Sequence, residues 1–296
     1  TGPFDNISAS GFDKVFPPET EYDPKKSYNG INGIPVSWFK IKEVRSDRWV
    51  DFTRYFSHSG AVYYANSFVY SDKEQKVQIR IGTSGSLRFF LNDQLIIDVF
   101  DENNNDADTY ISETTLQKGW NRLLVKCGFS EIDRCNFLFR ITTAGGEPVQ
   151  GLKYSTDKQK YPAQKNVPFK KVTPFAIEYL KEQIAKNPEH YENYFFLANA
   201  YLRNDMGYEA ELTLRPLIIK LNYCSFLRYK LIEVFARSRK SDELETEFET
   251  LSRTDKNYPE VLMYMINESF SNGDLDLAEQ QLAELQKIGG HLKEYY

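Results

Sequence analysis

The densest run of oxygen ligands in the chain is "DENNNDADTY", residues 101–110. Asp101, Asn103 and Asn105 match the opening of a calcium loop, where hard oxygen donors at alternate positions surround the ion. The sixth position, which needs glycine for a sharp turn, is Asp106, and the twelfth, which needs a bidentate glutamate, is Ser112. That excludes an EF-hand and leaves an irregular calcium site or a solvated loop between strands. The histidines are His58, His190 and His291, scattered and without an H-x-x-x-H spacing. The cysteines are Cys127, Cys135 and Cys224, with no C-x-x-C pair to suggest zinc. Cys127 and Cys135 bracket a short loop, 128–134; if the flanking strands form a hairpin in register, their Cα atoms come within bridging distance. No G-x-S-x-G, Walker loop or dinucleotide fingerprint is present. The residues therefore predict neither an enzyme nor a cofactor.

Aromatic side chains are the other candidates for ligand contact, at 15% of the chain. Trp120 sits between a glycine turn and a strand, a position that predicts a core residue over a sugar-stacking platform. Trp38 and Trp49 flank "FKIKEVRSDR" and divide less clearly between the same roles. Tyr63 and Tyr64 are adjacent in a strand, so alternation predicts that one faces out, where it could stack on a sugar or on another domain.

These residues need elements to hold them. From about 36 to 150 the pattern is strand-like: Val77, Ile79 and Ile81 alternate with Lys76, Gln78 and Arg80. "LRFFL" and "LIIDVF" are joined by Asn92-Asp93, residues that tolerate the left-handed conformation a tight hairpin requires. "GWNRLLVKC" and "CNFLFRITT" predict a second hairpin. Many short strands without an intervening helix predict an antiparallel β-sandwich or jelly roll over 1–151. Periodicity stops over 152–173, a stretch with six lysines against one aspartate, which reads as a solvated linker.

From 174 to 296 the pattern is helical and repeats. Ala210 and Ala278 lie 68 positions apart, twice the 34-residue period of the tetratricopeptide unit, with Leu244 between them. The same step aligns Leu214, Phe248 and Leu282; Leu217, Leu251 and Leu285; Ala198, Ile232 and Ile266; and Leu197, Leu231 and Met265. In "NGDLDLAEQQLAEL", Leu275, Ala278, Leu282 and Leu285 share one helical face. The expected architecture is a lone helix followed by three hairpins. Ala198 and Ala210 would permit close helix approach, with larger residues filling the seams.

This half resembles the tetratricopeptide family, on Leu197, Ala198, Tyr201 and Ala210 in one unit and Gly273, Leu275 and Ala278 in another; Leu244 departs from the small residue usual at its place. The resemblance implies a protein or peptide partner on the concave face, with Asn193, Tyr194, Asn199, Arg228 and Asn267 as candidate contacts. Residues 1–150 carry "GPFDN", "GFDKVFPPE", "YNGINGIPVSW" and "LQKGWNRLLVK" in order. They resemble the galactose-binding-like jelly rolls of bacterial extracellular glycoside hydrolases. They are also similar to such domains in envelope proteins that add tetratricopeptide repeats and a transglutaminase-like domain. Those resemblances imply a non-catalytic binding or scaffold region of a longer secreted, periplasmic or envelope-associated bacterial protein. The alternative is an accessory carbohydrate-binding region serving a secreted hydrolase, with Tyr63 and Tyr64 as candidate sugar contacts. Family members usually carry a Trp-containing strand before "GPF", so the chain is expected to be a piece of something longer; Asp93 stands where glycine is usual in the hairpin turn.

A net charge of −5 and a pI near 5.5 give no electrostatic case for nucleic acid or an anionic membrane. No apolar run approaches the roughly 18–20 residues of a membrane span.

Overall fold

A computed structural model describes residues 1–41, 46–163, 166–221 and 224–289. The chain divides into two compact units, Thr1–Pro174 and Phe175–Tyr296. Among the described residues no helix is long and apolar enough to cross a membrane.

The first unit is built on antiparallel strands. In chain order these are β1 (Phe4–Asp5), β2 (Ser27–Asn29), β3 (Pro35–Ser37), β4 (Val50–Asp51), β5 (Ala61–Ser71), β6 (Gln75–Leu91), β7 (Gln94–Asn104), β8 (Tyr110–Leu116), β9 (Gly119–Phe129), β10 (Asn136–Thr142), β11 (Lys153–Ser155) and β12 (Lys170–Lys171); a short helix α1 spans Pro17–Thr20. The organising element is β6. Its first half pairs with β8 and β10, and its second half with β7 and β9. The change falls at a register shift between Gly85 and Leu87. Gly85 has φ 105°, and a Cβ there would lie 2.6 Å from the carbonyl of Gly128, so only glycine fits the bulge. Both halves of β6 feed one core: Val77, Ile79 and Ile81 from the first, Leu87, Phe89 and Leu91 from the second.

The predicted turn at Asn92-Asp93 closes β6 on β7, with φ of 49° and 67°. The second predicted hairpin does not form. β9 and β10 each pair with β6 instead of with one another. Cys127 and Cys135 nonetheless meet as free, buried thiols joined by a hydrogen bond, and burial pushes the Cys135 thiol up.

The stretch 152–173 is attached to the sheet. β11 pairs with β5 and β12 with β8. The Tyr161 hydroxyl donates to Asp93, and Gln94 exchanges hydrogen bonds with the backbone of Val167 at 2.9 and 2.8 Å. Its polar composition suggests a linker, but local periodicity cannot reveal that its backbone finds partners on remote strand edges.

The second unit contains α2 (Phe175–Lys186), α3 (Glu192–Arg203), α4 (Gly207–Lys220), α5 (Ser225–Arg237), α6 (Ser241–Thr254), α7 (Pro259–Ser271) and α8 (Leu275–Gly289). Three turns, 204–206, 238–240 and 272–274, share one geometry. Asp205, Arg239 and Gly273 are left-handed, with φ of 62°, 56° and 79°, and stand 34 residues apart. The amides of Met206, Lys240 and Asp274 bond back to the carbonyls of Tyr201, Phe235 and Ser269, the long-range bond of a Schellman cap. Ala198 and Ala210 are fully buried in one cluster with Leu214, Leu217 and Leu231, while Leu251 and Val261 lie in the next. The predicted face of α8 is partly corrected. Ala278 and Leu285 are buried beside Gln281, but Leu275 and Leu282 are exposed. Leu282 repeats the place of Phe248, whose ring stacks on Tyr264 of α7, and no helix follows α8 among the described residues to cover it.

Candidate functional site

Two surfaces gather residues capable of recognition, one in each unit. In the first, the start of β10 lies between β4 and β6, so Asn136 is cross-strand neighbour to both Asp51 and Ser84. A polar cavity of about 370 Å³ opens here, lined by Trp49, Asp51, Asn104, Asp106, Arg134 and Asn136 among others. Close approach of chains shapes it: a Cβ on Gly82 would lie 2.3 Å from the Asp106 carbonyl. Asp51 accepts from the backbone and hydroxyl of Thr53, at 3.1 and 2.6 Å, and Asn105 donates to the Tyr110 hydroxyl at 2.8 Å. Asn136 is only 9% exposed, and its Oδ1 has no hydrogen-bond partner among the described residues. A buried acceptor left unmade costs about 1–3 kcal/mol, which a donor arriving on a ligand would recover.

Sequence reasoning did not single out this cavity. Trp49 alone does not mark it on the sequence, because the residues around it come from four separate segments. Of the run 101–110, which offers the candidate calcium donors Asp101, Asn103 and Asn105, residues 101–104 continue β7, and Asn104 opposes Ser84 across the sheet. The side chain of Asn103 lies outside the described residues. Among the described residues no group of three His, Cys, Asp or Glu side chains is placed to hold a metal ion.

Tyr63 and Tyr64 are both buried, which corrects the expectation that one faces outward. Tyr63 enters the main core, where its ring stacks on Phe52 and Phe56 at 5.3 and 4.6 Å. Tyr64 does point to the opposite face, but the N-terminal segment covers that face with Phe4, Phe12, Tyr28 and Val36. Two cations are sealed under the same cover. Lys126 Nζ donates to the Lys14 carbonyl at 2.6 Å and to Glu19 at 2.8 Å, while the Tyr64 hydroxyl donates to the same Glu19 oxygen at 2.6 Å. Burial pulls the Lys126 ammonium below its ordinary value, and the Glu19 hydrogen bond and charge act in the other direction. Arg122 donates to Asn66, Asp93 and the Pro18 carbonyl at 2.8, 2.9 and 2.7 Å. Asp93 thus has a tertiary reason to occupy a turn position where glycine is usual.

In the helical unit the five predicted contacts do not converge. Arg228 is buried and ion-paired to Glu247 of α6 at 2.5 Å. Asn199 donates to the carbonyl of Phe195 within its own helix at 3.1 Å. Asn193 and Tyr194 are half-buried, Tyr194 against the core, and Asn267 is exposed. The exposed large hydrophobic residues of α3, α5 and α7 are all aromatic: Phe196, Phe226, Tyr264 and Phe270. Rings link α3 to α5, Phe195 to Phe226 at 4.8 Å, and α5 to the residue before α7, Tyr229 to Tyr258 at 5.9 Å, and Lys230 lies 5.4 Å over Phe195. At the 34-residue step Phe196, Lys230 and Tyr264 share one column, whereas Phe226 aligns with Glu192 and Glu260, and Phe270 with Leu202 and Ala236.

Of the histidines, His58 uses its backbone carbonyl to accept from Tyr63, His190 lies 3.6 Å from Glu192, and His291 falls outside the described residues. No family model matches the chain, and no curated protein matches it.

Proposed function

We propose that the chain is a non-catalytic binding and scaffold region of a larger secreted or envelope-associated bacterial protein. In this reading the first unit is a galactose-binding-like β-sandwich, supported by the order of its motifs and by the division of β6 between two sets of partners. The second is a tetratricopeptide-like solenoid, supported by the recurrence of caps at the 34-residue step and by buried alanines 68 positions apart, Ala210 and Ala278. It engages a protein or peptide partner. The observation that carries this reading is the set of exposed aromatics on α3, α5 and α7, because large rigid rings dominate the energetics of protein recognition. Panning a random peptide library on the whole chain tests it. Enriched peptides should lose about tenfold or more in affinity on Phe226→Ala or Phe270→Ala. Enriched peptides indifferent to both changes would refute it.

A second reading, carbohydrate binding, is favoured by the polar cavity of the first unit. Trp49 offers a flat apolar face, and carboxylates, amides and Arg134 offer both acceptors and donors to vicinal hydroxyls. A glycan array that retains sugars on the wild-type chain and loses them on Trp49→Ala or Asn136→Leu would support it; equal retention by all three would discard it.

A further inference from the structure

Between α2, α3 and α4 lies a mainly apolar cavity of about 360 Å³, within the range of roughly 300–1,000 Å³ typical of ligand pockets. It shares no residue with the aromatic face. Ile184, Tyr194, Leu197 and Leu217 form its apolar walls, and its charged lining residues are Lys181 and Lys220.

We propose that this cavity is a second recognition site, which takes an apolar side chain from an acidic peptide segment of a partner protein. The proposal rests on the helical unit being a partner-binding element, and not on the aromatic face. Three demands of the site converge on that occupant. The walls require an apolar group, since burying such surface is the favourable term available there. The lysines favour negative charge: among the described residues their carboxylate partners are exposed, Glu178 for Lys181 at 3.6 Å and Glu189 for Lys220 at 2.9 Å. Surface pairs of this kind hold weakly, so a ligand carboxylate can exchange for them.

The third demand comes from Pro216, which lies inside α4. Having no N–H, it gives nothing to the carbonyl of Leu212, one turn earlier. Leu212 and Pro216 both line the cavity, so the carbonyl that lacks its helical donor belongs to a lining residue. A peptide brings backbone N–H groups to meet it. A fatty acid satisfies the apolar and anionic demands but has no donor for the carbonyl.

The test uses the whole chain and fluorescein-labelled dodecapeptides followed by anisotropy. One peptide carries a central leucine flanked by aspartate and glutamate, a second replaces the leucine by serine, and a third replaces the acids by lysine. The acidic leucine peptide should bind, and the other two should bind about tenfold or more weakly. Ala185 is exposed and lines the cavity, so Ala185→Trp should obstruct it and abolish binding. Leu212→Arg, at another exposed lining position, provides a second obstruction should the first variant misfold. The paired reversal Lys181→Glu with Lys220→Glu should weaken binding about tenfold and remove its salt dependence. Phe226→Ala should leave this affinity unchanged, which separates failure here from failure of the aromatic-face reading. Binding that survives both obstructions overturns the proposal, as does absence of peptide binding. Laurate bound in an obstruction-sensitive way while the peptides fail also overturns it, in favour of a lipid.

Discussion

Lys126 shows how a single residue escapes a reading by alternation. It sits in β9 where period two predicts a face opposite the core, and a lysine there reads as solvated. The N-terminal segment turns that face into a second interior, leaving Lys126 fully buried with Glu19 as its carboxylate partner. A buried charge that loses its partner costs far more than the net worth of the pair. Glu19→Ala should therefore destabilise the chain by about 3 kcal/mol or more, because it leaves the ammonium with only the Lys14 carbonyl among these polar partners. Lys126→Met should cost about 1 kcal/mol, since a methionine fills similar space and Glu19 keeps its bonds from the Phe16 amide and the Tyr64 hydroxyl. Urea melts of both variants check the order. Equal losses, or a greater loss for Lys126→Met, would contradict the charge argument. Tyr64 and Arg122 were equally beyond sequence reading, because alternation states which residues share a face and not what covers it.

At the scale of elements, the helices were largely legible and the strand pairings, apart from the β6–β7 hairpin, were not. A helix is held by contacts within a few residues, so a local period carries its signature, and the 34-residue step between apolar columns then shows which helices are equivalent. The structure adds the cap geometry at Asp205 and Arg239, where neither residue is the glycine that marks the third turn at Gly273. Ala210 is fully buried where α3 and α4 meet. Ala210→Leu should overpack that contact and cost about 1–3 kcal/mol, read as a lower denaturation midpoint at unchanged slope. An unchanged midpoint would mean the two helices are not held closely there. Strand pairing differs because it joins residues remote in sequence. The loop 128–134 looks like a hairpin connection, yet β6 lies between the strands it joins.

For the whole molecule, buried tyrosines set a common alkaline limit. Tyr63 and Tyr64 are pushed well above the ordinary 10.0, both chiefly by burial, with the Glu19 charge and hydrogen bond adding at Tyr64. Tyr258 of the helical unit is pushed up to about 12, again chiefly by burial. A group with a raised folded value contributes stability that is fully present below its unfolded value and is lost as pH rises beyond it. Lys126 acts in the opposite sense below its unfolded value of 10.5 and adds nothing further above it. Stability should therefore fall steadily above about pH 10.5, and Tyr64→Phe should flatten that fall. Urea melts across the alkaline range measure both, and a wild-type stability that stays level through pH 12 would refute the burial of these hydroxyls. The amino-acid sequence by itself determined a β-rich first part, a helical second part, the Asn92-Asp93 turn and the 34-residue equivalence of the helices, because each is written in spacings of a few residues or in their repetition. Only the tertiary structure decided that β6 serves four partners, that the N-terminal segment seals Tyr64, Lys126 and Arg122, and that Arg228 is committed to Glu247. It also decided that Asn136 faces a cavity built from distant segments. These outcomes depend on which remote surfaces meet, and local pattern specifies the faces without specifying their partners.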